Sequence, residues 1–496
     1  MVCSSKNRAS TPLSYWRYPG RGTIVLDETL ITLYACSMKT LSIVILIFLA
    51  ASSSLAAKFD VIIIGAGPAG LMAARAAGEE GLKVAVLERK QEIRTIRRSC
   101  AGAFNVNVPV FGVTATFDEE KKTFHFPELE TTITYDGPYQ NIFGFHIYSP
   151  GGKRLEFGKI ADLRKDPQKN RLGMAINKEH LLGTLLDTLN NYDDTVYTDT
   201  NVHSVEKETD GIAVHCTGQV KKIKAPFCIA ADGINSRIAR MLGMNKSRSF
   251  FGTLRDASIV IEKTTCPDPE GFLFMITPGG IFSMMPFAQE ECYHISASSL
   301  RRDVDLVELL DYFINKDALY ASWFKGSRIV EHRTSCVVNL LSPMETPFKD
   351  NVLFIGDACW RREISNVGAL TTGFKAGKCM AEAIREDKEN PTGIKNYLDW
   401  YQTYFYRPHG KRPQGGRDFS KYLSPEDIDY LVSLPEAEFP QTIDFLKVVD
   451  CIGKTYANLF AKIYEENPAV MDRLIKIREN AEEDLKQNVK QGFKPL

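Results

Sequence analysis

Residues 59–88 read FDVIIIGAGPAGLMAARAAGEEGLKVAVLE, and this stretch decides the fold. Phe59 to Ile64 is a short β-branched run of the kind that forms a buried parallel strand. It runs into Gly65-Ala66-Gly67-Pro68-Ala69-Gly70, then a helical stretch, then a second strand, Lys83 to Leu87, that ends at Glu88. Each glycine has a mechanical task. Gly65 permits the tight turn, Gly67 lets a pyrophosphate approach the backbone, and Gly70 allows close packing of helix on strand. The helix N-terminus offers N–H groups and the positive end of its dipole to phosphates. Glu88 stands where an acid accepts hydrogen bonds from a ribose, which suits FAD or NAD rather than NADP. Strand, glycines, helix, strand and acid in one βαβ unit are far more specific than the glycines alone.

Two later segments extend this pattern. Residues 228–240, CIAADGINSRIAR, are a strand followed by Asp232-Gly233 and a helix, and residues 351–359, NVLFIGDAC, are a strand ending in Gly356-Asp357. Each puts a carboxylate at the C-terminal end of a buried strand, where ligands gather in open α/β sheets. A helix N-cap is the alternative role for each aspartate. With the first motif, these segments resemble the glutathione-reductase-type FAD fold used by aromatic-ring hydroxylases and geranylgeranyl reductases.

The resemblance implies an α/β chain: a Rossmann-like FAD-binding domain with an inserted antiparallel-sheet substrate domain and C-terminal helices. Residues 58–110, 166–250 and 340–390 fall to the FAD-binding domain, 111–165 and 251–339 to the substrate-side sheet, and 391–496 to the helices. The resemblance further implies that Asp357 contacts the ribityl chain and that Asp232 lies near the pyrophosphate. A helix beginning near Val367 would turn Gly368, Ala369 and Leu370 toward the pyrimidine ring. Val202 would meet the adenine through its backbone. Lys178 occupies the place of an arginine directed at FAD, with a solvated lysine as the alternative. Gly65, Gly67, Pro68, Ala69, Gly70, Glu88, Arg89, Arg98 and Gly356 complete the implied cofactor set. Residues 195–231 alternate as three strands, a β-meander turning at Asp210-Gly211.

The enzyme class follows by exclusion and then by resemblance. Disulfide reductases need two cysteines close together after the second strand, and Cys100 stands alone. No second strand–GxGxxG–helix appears, so the flavin's reductant is a transient NAD(P)H or a protein electron donor. The four tryptophans, at 16, 323, 360 and 400, form no WxWxIP-like cluster, which disfavours tryptophan halogenases. Residues 94–102, RTIRRSCAG, resemble the basic residue and Cys-Gly turn that geranylgeranyl reductases place against the isoalloxazine, through Arg97, Arg98, Cys100 and Gly102. The resemblance makes Cys100 a proton donor beside the flavin, with a small packing residue as the alternative. A second family signature, an aromatic–Trp–Phe–Pro strand lining a lipid tunnel, falls on Ile281 to Pro286, IFSMMP, where Ile281 and Ser283 replace the aromatic and the tryptophan. After Asp357, Trp360, Arg361, Arg362 and Glu363 stand where small residues are usual, and a solvated loop is the expectation there, with a contact for an acidic substrate or electron donor as the alternative.

The expected activity is hydride transfer from reduced FAD to a small apolar or lipid, prenyl-type alkene. An FAD-dependent monooxygenase and a membrane-held flavin-binding protein without catalysis are the alternatives. Composition agrees with a globular enzyme: 61 Lys plus Arg balance 61 Asp plus Glu, with 44% hydrophobic residues. That balance disfavours a nucleic-acid partner. The 11 cysteines show neither CxxC pairs nor metal-ligand spacing, so no metal site is expected. Near the N-terminus, LSIVILIFLA at 41–50 follows Met38-Lys39 and precedes ASSSLAA. Residues 38–57 therefore read as a signal peptide or membrane anchor, and 1–37 as an unstructured or mis-assigned upstream extension. This places the body of the protein at a membrane surface or beyond it, or in the cytoplasm if the segment is unused. RPHGKRPQGGR at 407–417 is a basic loop, read as a surface hinge or a contact for anionic lipid.

Overall fold

The β-branched run after Phe59 forms β1 (Val61–Ile64), buried along its whole length because it lies inside a parallel sheet. The structure, a computed structural model, describes residues 59–100, 102–277, 279–360, 365–386, 391–410 and 421–492. Met1–Lys58 is a separate unit and lies outside the described residues, so the N-terminal segment expected at 38–57 does too.

Along the chain, β1 is followed by α1 (Pro68–Glu79), β2 (Val84–Leu87) and, past the loop bearing Cys100, β3 (Ala103–Asn105). Next come β4 (Tyr139–Ile142), β5 (Gly144–Tyr148), β6 (Arg154–Phe157), β7 (Gly173–Ile176) and α2 (Lys178–Thr188). Then follow β8 (Asp194–Tyr197), β9 (Asn201–Glu208), β10 (Gly211–Thr217), β11 (Lys222–Ala225), β12 (Phe227–Ala230) and α3 (Arg237–Met241). The substrate-side strands are β13 (Phe250–Glu262), β14 (Gly271–Thr277), β15 (Gly280–Pro286) and β16 (Cys292–Ser299), then α4 (Leu306–Asn315) and β17 (Arg328–Leu341). The chain returns through β18 (Phe348–Lys349) and β19 (Val352–Phe354) to α5 (Ser365–Glu386) and α6 (Thr392–Tyr401). Five further described helices of seven or more residues lie between Pro425 and Gln491.

The first sheet runs β8-β2-β1-β12-β19-β18 and is parallel except at β18. It shares one core with α1 and α5. The second sheet runs β6-β5-β14-β15-β16-β13-β17. Its apolar face packs under α4, and the β5–β14 end packs against the C-terminal helices.

Four expectations need correction. The second sheet is mixed, because β5 pairs β14 in parallel. Residues 116–134 form their own small three-stranded sheet instead of joining it, and β4 pairs β7. The meander is confined to β9-β10-β11, whereas Asp194–Tyr197 and Phe227–Ala230 are strands of the parallel sheet. Strand pairing of this kind is long-range, and local alternation does not specify it. Trp360 is also not on a solvated loop. It is 1% exposed and packs edge-on against Phe111 and Phe405, while residues 361–364 lie outside the described ones. Of the basic loop, Arg407–His409 is helical and 411–420 lies outside the described residues. Among the described residues, no helix is long and apolar enough to cross a membrane.

Asp194, at the start of edge strand β8, carries a pH dependence. Burial, with Asp193 beside it, pushes its carboxyl up from 3.8 to about 7. The folded protein thus holds a proton that the unfolded chain releases between those values, and stability falls as pH rises through that window. Asp194→Asn is expected to raise the melting temperature at pH 8 and to have little effect at pH 4; equal shifts at both would refute the assignment.

Candidate functional site

The turn after β1 is shaped by backbone contact. Gly65 has φ +103°, and a Cβ there would lie 2.5 Å from the Ala231 carbonyl oxygen. A Cβ at Gly70 would sit 1.9 Å from the oxygen of Gly65, so only glycine closes this turn. Gly67 is different, with nothing within 4 Å of its Cβ position. It leaves open space at the start of α1, where no side chain caps the helix and Pro68 occupies the first turn. Ala69 is buried in that turn. This is an anion-binding helix N-terminus with room for a pyrophosphate.

Glu88, 7% exposed, closes the other side. Its carboxylate accepts from the N–H of Ala66 and from the N–H of Lys90, each at 2.8 Å. Its backbone bonds to Tyr197 and Thr200, which ties the end of β2 to β8 and to the start of β9, where Val202 is buried. Lys90 belongs to this corner and escaped the sequence reading, although it stands two residues past Glu88. Its ammonium donates to the carbonyls of Ile93 and Thr95. Burial lowers its pKa against the pull of Glu88, and Arg98, Lys178 and Arg89 lower it further. Four cations therefore concentrate positive potential beside the glycine turn. Arg89 and Arg98 are exposed there.

The ends of β12 and β19 meet the same turn. Asp232 lies against the glycine turn, its Cα 3.2 Å from the Cβ position of Gly65, and its carboxylate accepts from the Ser236 hydroxyl at 2.6 Å and from the N–H groups of Arg237 and Ile238. Burial raises its pKa and these bonds oppose the rise. The side chain caps α3, and what this segment brings to the site is main chain, packed on Gly65. Gly356 has φ +60°, and a Cβ there would lie 3.1 Å from the Ala69 Cβ, so half-buried Asp357 starts beside the first turn of α1. Helix α5 begins at Ser365, with Gly368 and Leu370 buried and Ala369 half-buried in its first turns. Asn366 anchors this end by donating to the carbonyl of Ala103 at 2.8 Å.

The cysteine turn faces the second sheet. Cys100 is 9% exposed, and its sulfur lies 3.8 Å from the Lys178 ammonium at the start of α2. Gly102 has φ +72° and a Cβ there would strike the Ile176 oxygen at 2.2 Å, so the turn is stitched to β7. Glu179 accepts from the Ile96 N–H at 2.6 Å, and Arg333 donates to the Ile96 carbonyl at 3.3 Å. One cavity is lined by Cys100, Gly102, Lys178, Phe287, Glu331 and Arg333. Sequence reading brought together Cys100 and Lys178 only through resemblance, and it missed Glu331 and Arg333, which arrive from β17.

The open glycine, the uncapped helix, the ribose-side acid and the clustered cations fit FAD. Because two N–H donors face the Glu88 carboxylate, a glutamine would set its own amide against one of them. Glu88→Gln is expected to weaken FAD binding by about tenfold or more, measured as the dissociation constant of the reconstituted flavin. Unchanged affinity would remove Glu88 from the site.

Comparison with known proteins agrees with this geometry. Over 428 residues the chain is 26% identical to digeranylgeranylglycerophospholipid reductase 2 of Methanopyrus kandleri, covering 84% of this chain and 98% of that protein. It is 22% identical over 359 residues to the digeranylgeranylglycerophospholipid reductase of Methanococcus vannielii, covering 71% and 84%. A geranylgeranyl bacteriochlorophyll reductase-like protein from Thermoplasma acidophilum shares the fold, with a TM-score of 0.61 at 18% identity over 82% of this chain and 99% of that one. Residues 58–362 match the FAD binding domain family, well over half of the sequence, and the chain belongs to that family.

Proposed function

We propose that the protein is an FAD-dependent reductase that saturates a double bond of an apolar, prenyl-type substrate. The observation that carries this reading is the Cys100 thiol, held 3.8 Å from the Lys178 ammonium in a cavity shared by the cofactor side and the second sheet. Its similarity to the digeranylgeranylglycerophospholipid reductases, which span most of this chain, supports it. Bound FAD, once reduced, supplies the hydride. The chain supplies the proton and the geometry. Cys100 holds the proton beside the Lys178 ammonium, and Glu179 and Arg333 fix the loop between them through Ile96.

The reductant is a transient NAD(P)H or a protein electron donor. Residues 38–57 hold the enzyme at a membrane surface, where an apolar substrate resides.

The test uses full-length protein carrying FAD, reduced without oxygen and mixed with a polyprenyl lipid in micelles. Return of the oxidised flavin spectrum, with product two hydrogens heavier per double bond, is the expected result. Once oxygen is admitted to a parallel sample, substrate-stimulated oxygen uptake with a hydroxylated product would identify a monooxygenase instead. Cys100→Ala is expected to lower turnover by roughly 10²-fold with flavin content intact. Unchanged turnover would take the thiol out of the mechanism.

A further inference from the structure

The Cys100 thiol gives up its proton once for every double bond reduced, and some group must return it. The cavity around the sulfur offers few candidates. Arg333 donates to the carbonyls of Ile96 and Arg98 and pairs with Glu331 at 3.0 Å. Glu179 is engaged by the Ile96 N–H at 2.6 Å. Among the described residues, only the Lys178 ammonium lies within hydrogen-bond reach of the sulfur, at 3.8 Å.

The position is an odd one for a cation. Lys178 is the first residue of α2, the end of a helix where the dipole favours anions. Its backbone is nevertheless fixed. Asn177 caps the helix by accepting from the His180 N–H at 3.0 Å, and the Asn177 N–H donates to the Tyr135 hydroxyl at 2.8 Å. Lys90, Arg89 and Arg98 share the corner, and the Lys178 charge adds to theirs in lowering the Lys90 pKa. A lysine placed here gains nothing from the helix end or from its cationic neighbours; what the position gives it is the sulfur.

Water also reaches it. The cavity lined by Cys100, Lys178 and Arg333 has a volume of about 100 Å³, room for a few water molecules. Asn177 and Glu179, on either side of Lys178 in the chain, line both this cavity and an open cleft of about 410 Å³. Asp136, His180 and Asp187 form other walls of that cleft. Lys178 therefore stands at the partition between the sulfur and solvent.

We propose that Lys178 is the proton-relay residue of the reaction, returning a proton to Cys100 after each reduction. The inference rests on the reductase reading and adds a step to it. One carbon of the double bond takes the hydride and its neighbour takes the Sγ proton, so the π bond and the S–H bond break and two C–H bonds form. The thiolate then takes a proton from the Lys178 ammonium, and the neutral amine takes one from water in the cavity. One proton enters from solvent per double bond. Lysine is suited to this step, whereas an arginine in its place would keep the charge and lose the relay, because a guanidinium stays protonated.

The test uses the full-length, FAD-loaded protein with a polyprenyl lipid in micelles without oxygen, and flavin content is measured for every variant. First turnovers are read from flavin reoxidation after stoichiometric reduction, later ones from product formed with dithionite in excess. Lys178→Arg is expected to keep the first turnover, whose proton is already on Cys100, within about twofold, and to slow later turnovers about tenfold or more. Lys178→Ala is expected to lose steady-state turnover likewise. Methylammonium, which carries a proton, restores it, and tetramethylammonium, which carries only charge, does not. A structural or purely electrostatic role would separate neither first from later turnovers nor one ion from the other. Steady-state turnover of Lys178→Arg equal to that of the unsubstituted protein overturns the relay, as does restoration of Lys178→Ala by both ions or by neither. If the unsubstituted protein does not reoxidise its flavin with the lipid, the reductase reading itself falls and the relay falls with it.

Discussion

The first turns of α1 touch other backbones on several sides, and the site has its shape because of those contacts. Gly70 closes on the oxygen of Gly65, and Gly65 closes on the oxygen of Ala231 at the end of β12. From the far side comes α5. A Cβ at Gly373 would lie 2.3 Å from the oxygen of Ala69, and one at Gly377 would lie 2.5 Å from that of Ala73. Glycine inside a helix costs about 1 kcal/mol relative to alanine, so two of them in α5 are a local loss that only this crossing offsets. The crossing brings Asp357, the start of α5 and the open space at Gly67 to one place. Glu88 then locks the turn by accepting from Ala66, so the acid that would receive a ribose also sets the loop that receives the phosphates.

What was legible in the sequence follows from how local each signal is. β1, the glycine turn, α1, β2 and Glu88 sit within thirty residues, and each is fixed by period, steric need or a helix end. Gly373 and Gly377 were legible only as glycines. Their four-residue spacing allows a close helix crossing but does not say which helix is crossed. Asp232 shows the limit of a carboxylate at a strand end, because Ser236 three residues before the Ala239 N–H makes a helix start as good a reason for it as a ligand. Trp360 looked solvated because charged residues follow it, and only the arrival of Phe111 and Phe405 from distant segments buries it.

The substrate side was less legible for a related reason. In the stretch His294-Ile295-Ser296-Ala297-Ser298 the alternation is plain, and it announces one polar and one apolar face. It does not say what either face meets. The register supplies that: Ser258 and Arg333 come from strands well removed in sequence on either side, and Arg333 reaches the Cys100 cavity. The departures at Ile281 and Ser283 from the aromatic tunnel pattern belong to the same face, since Ile281 pairs Ser298 and Ser283 pairs Ser296. They form one coherent change of surface, from aromatic to hydroxyl-bearing.

Energetics make that change hard to regard as neutral. An unpaired buried hydroxyl or ring nitrogen costs about 1–3 kcal/mol, and alanine or valine at Ser258 would avoid the cost within the strand. The face nevertheless keeps the Ser258 hydroxyl, His294 Nε2 and Arg333 Nε without a partner, while Arg333 reaches Glu331 through its terminal nitrogen.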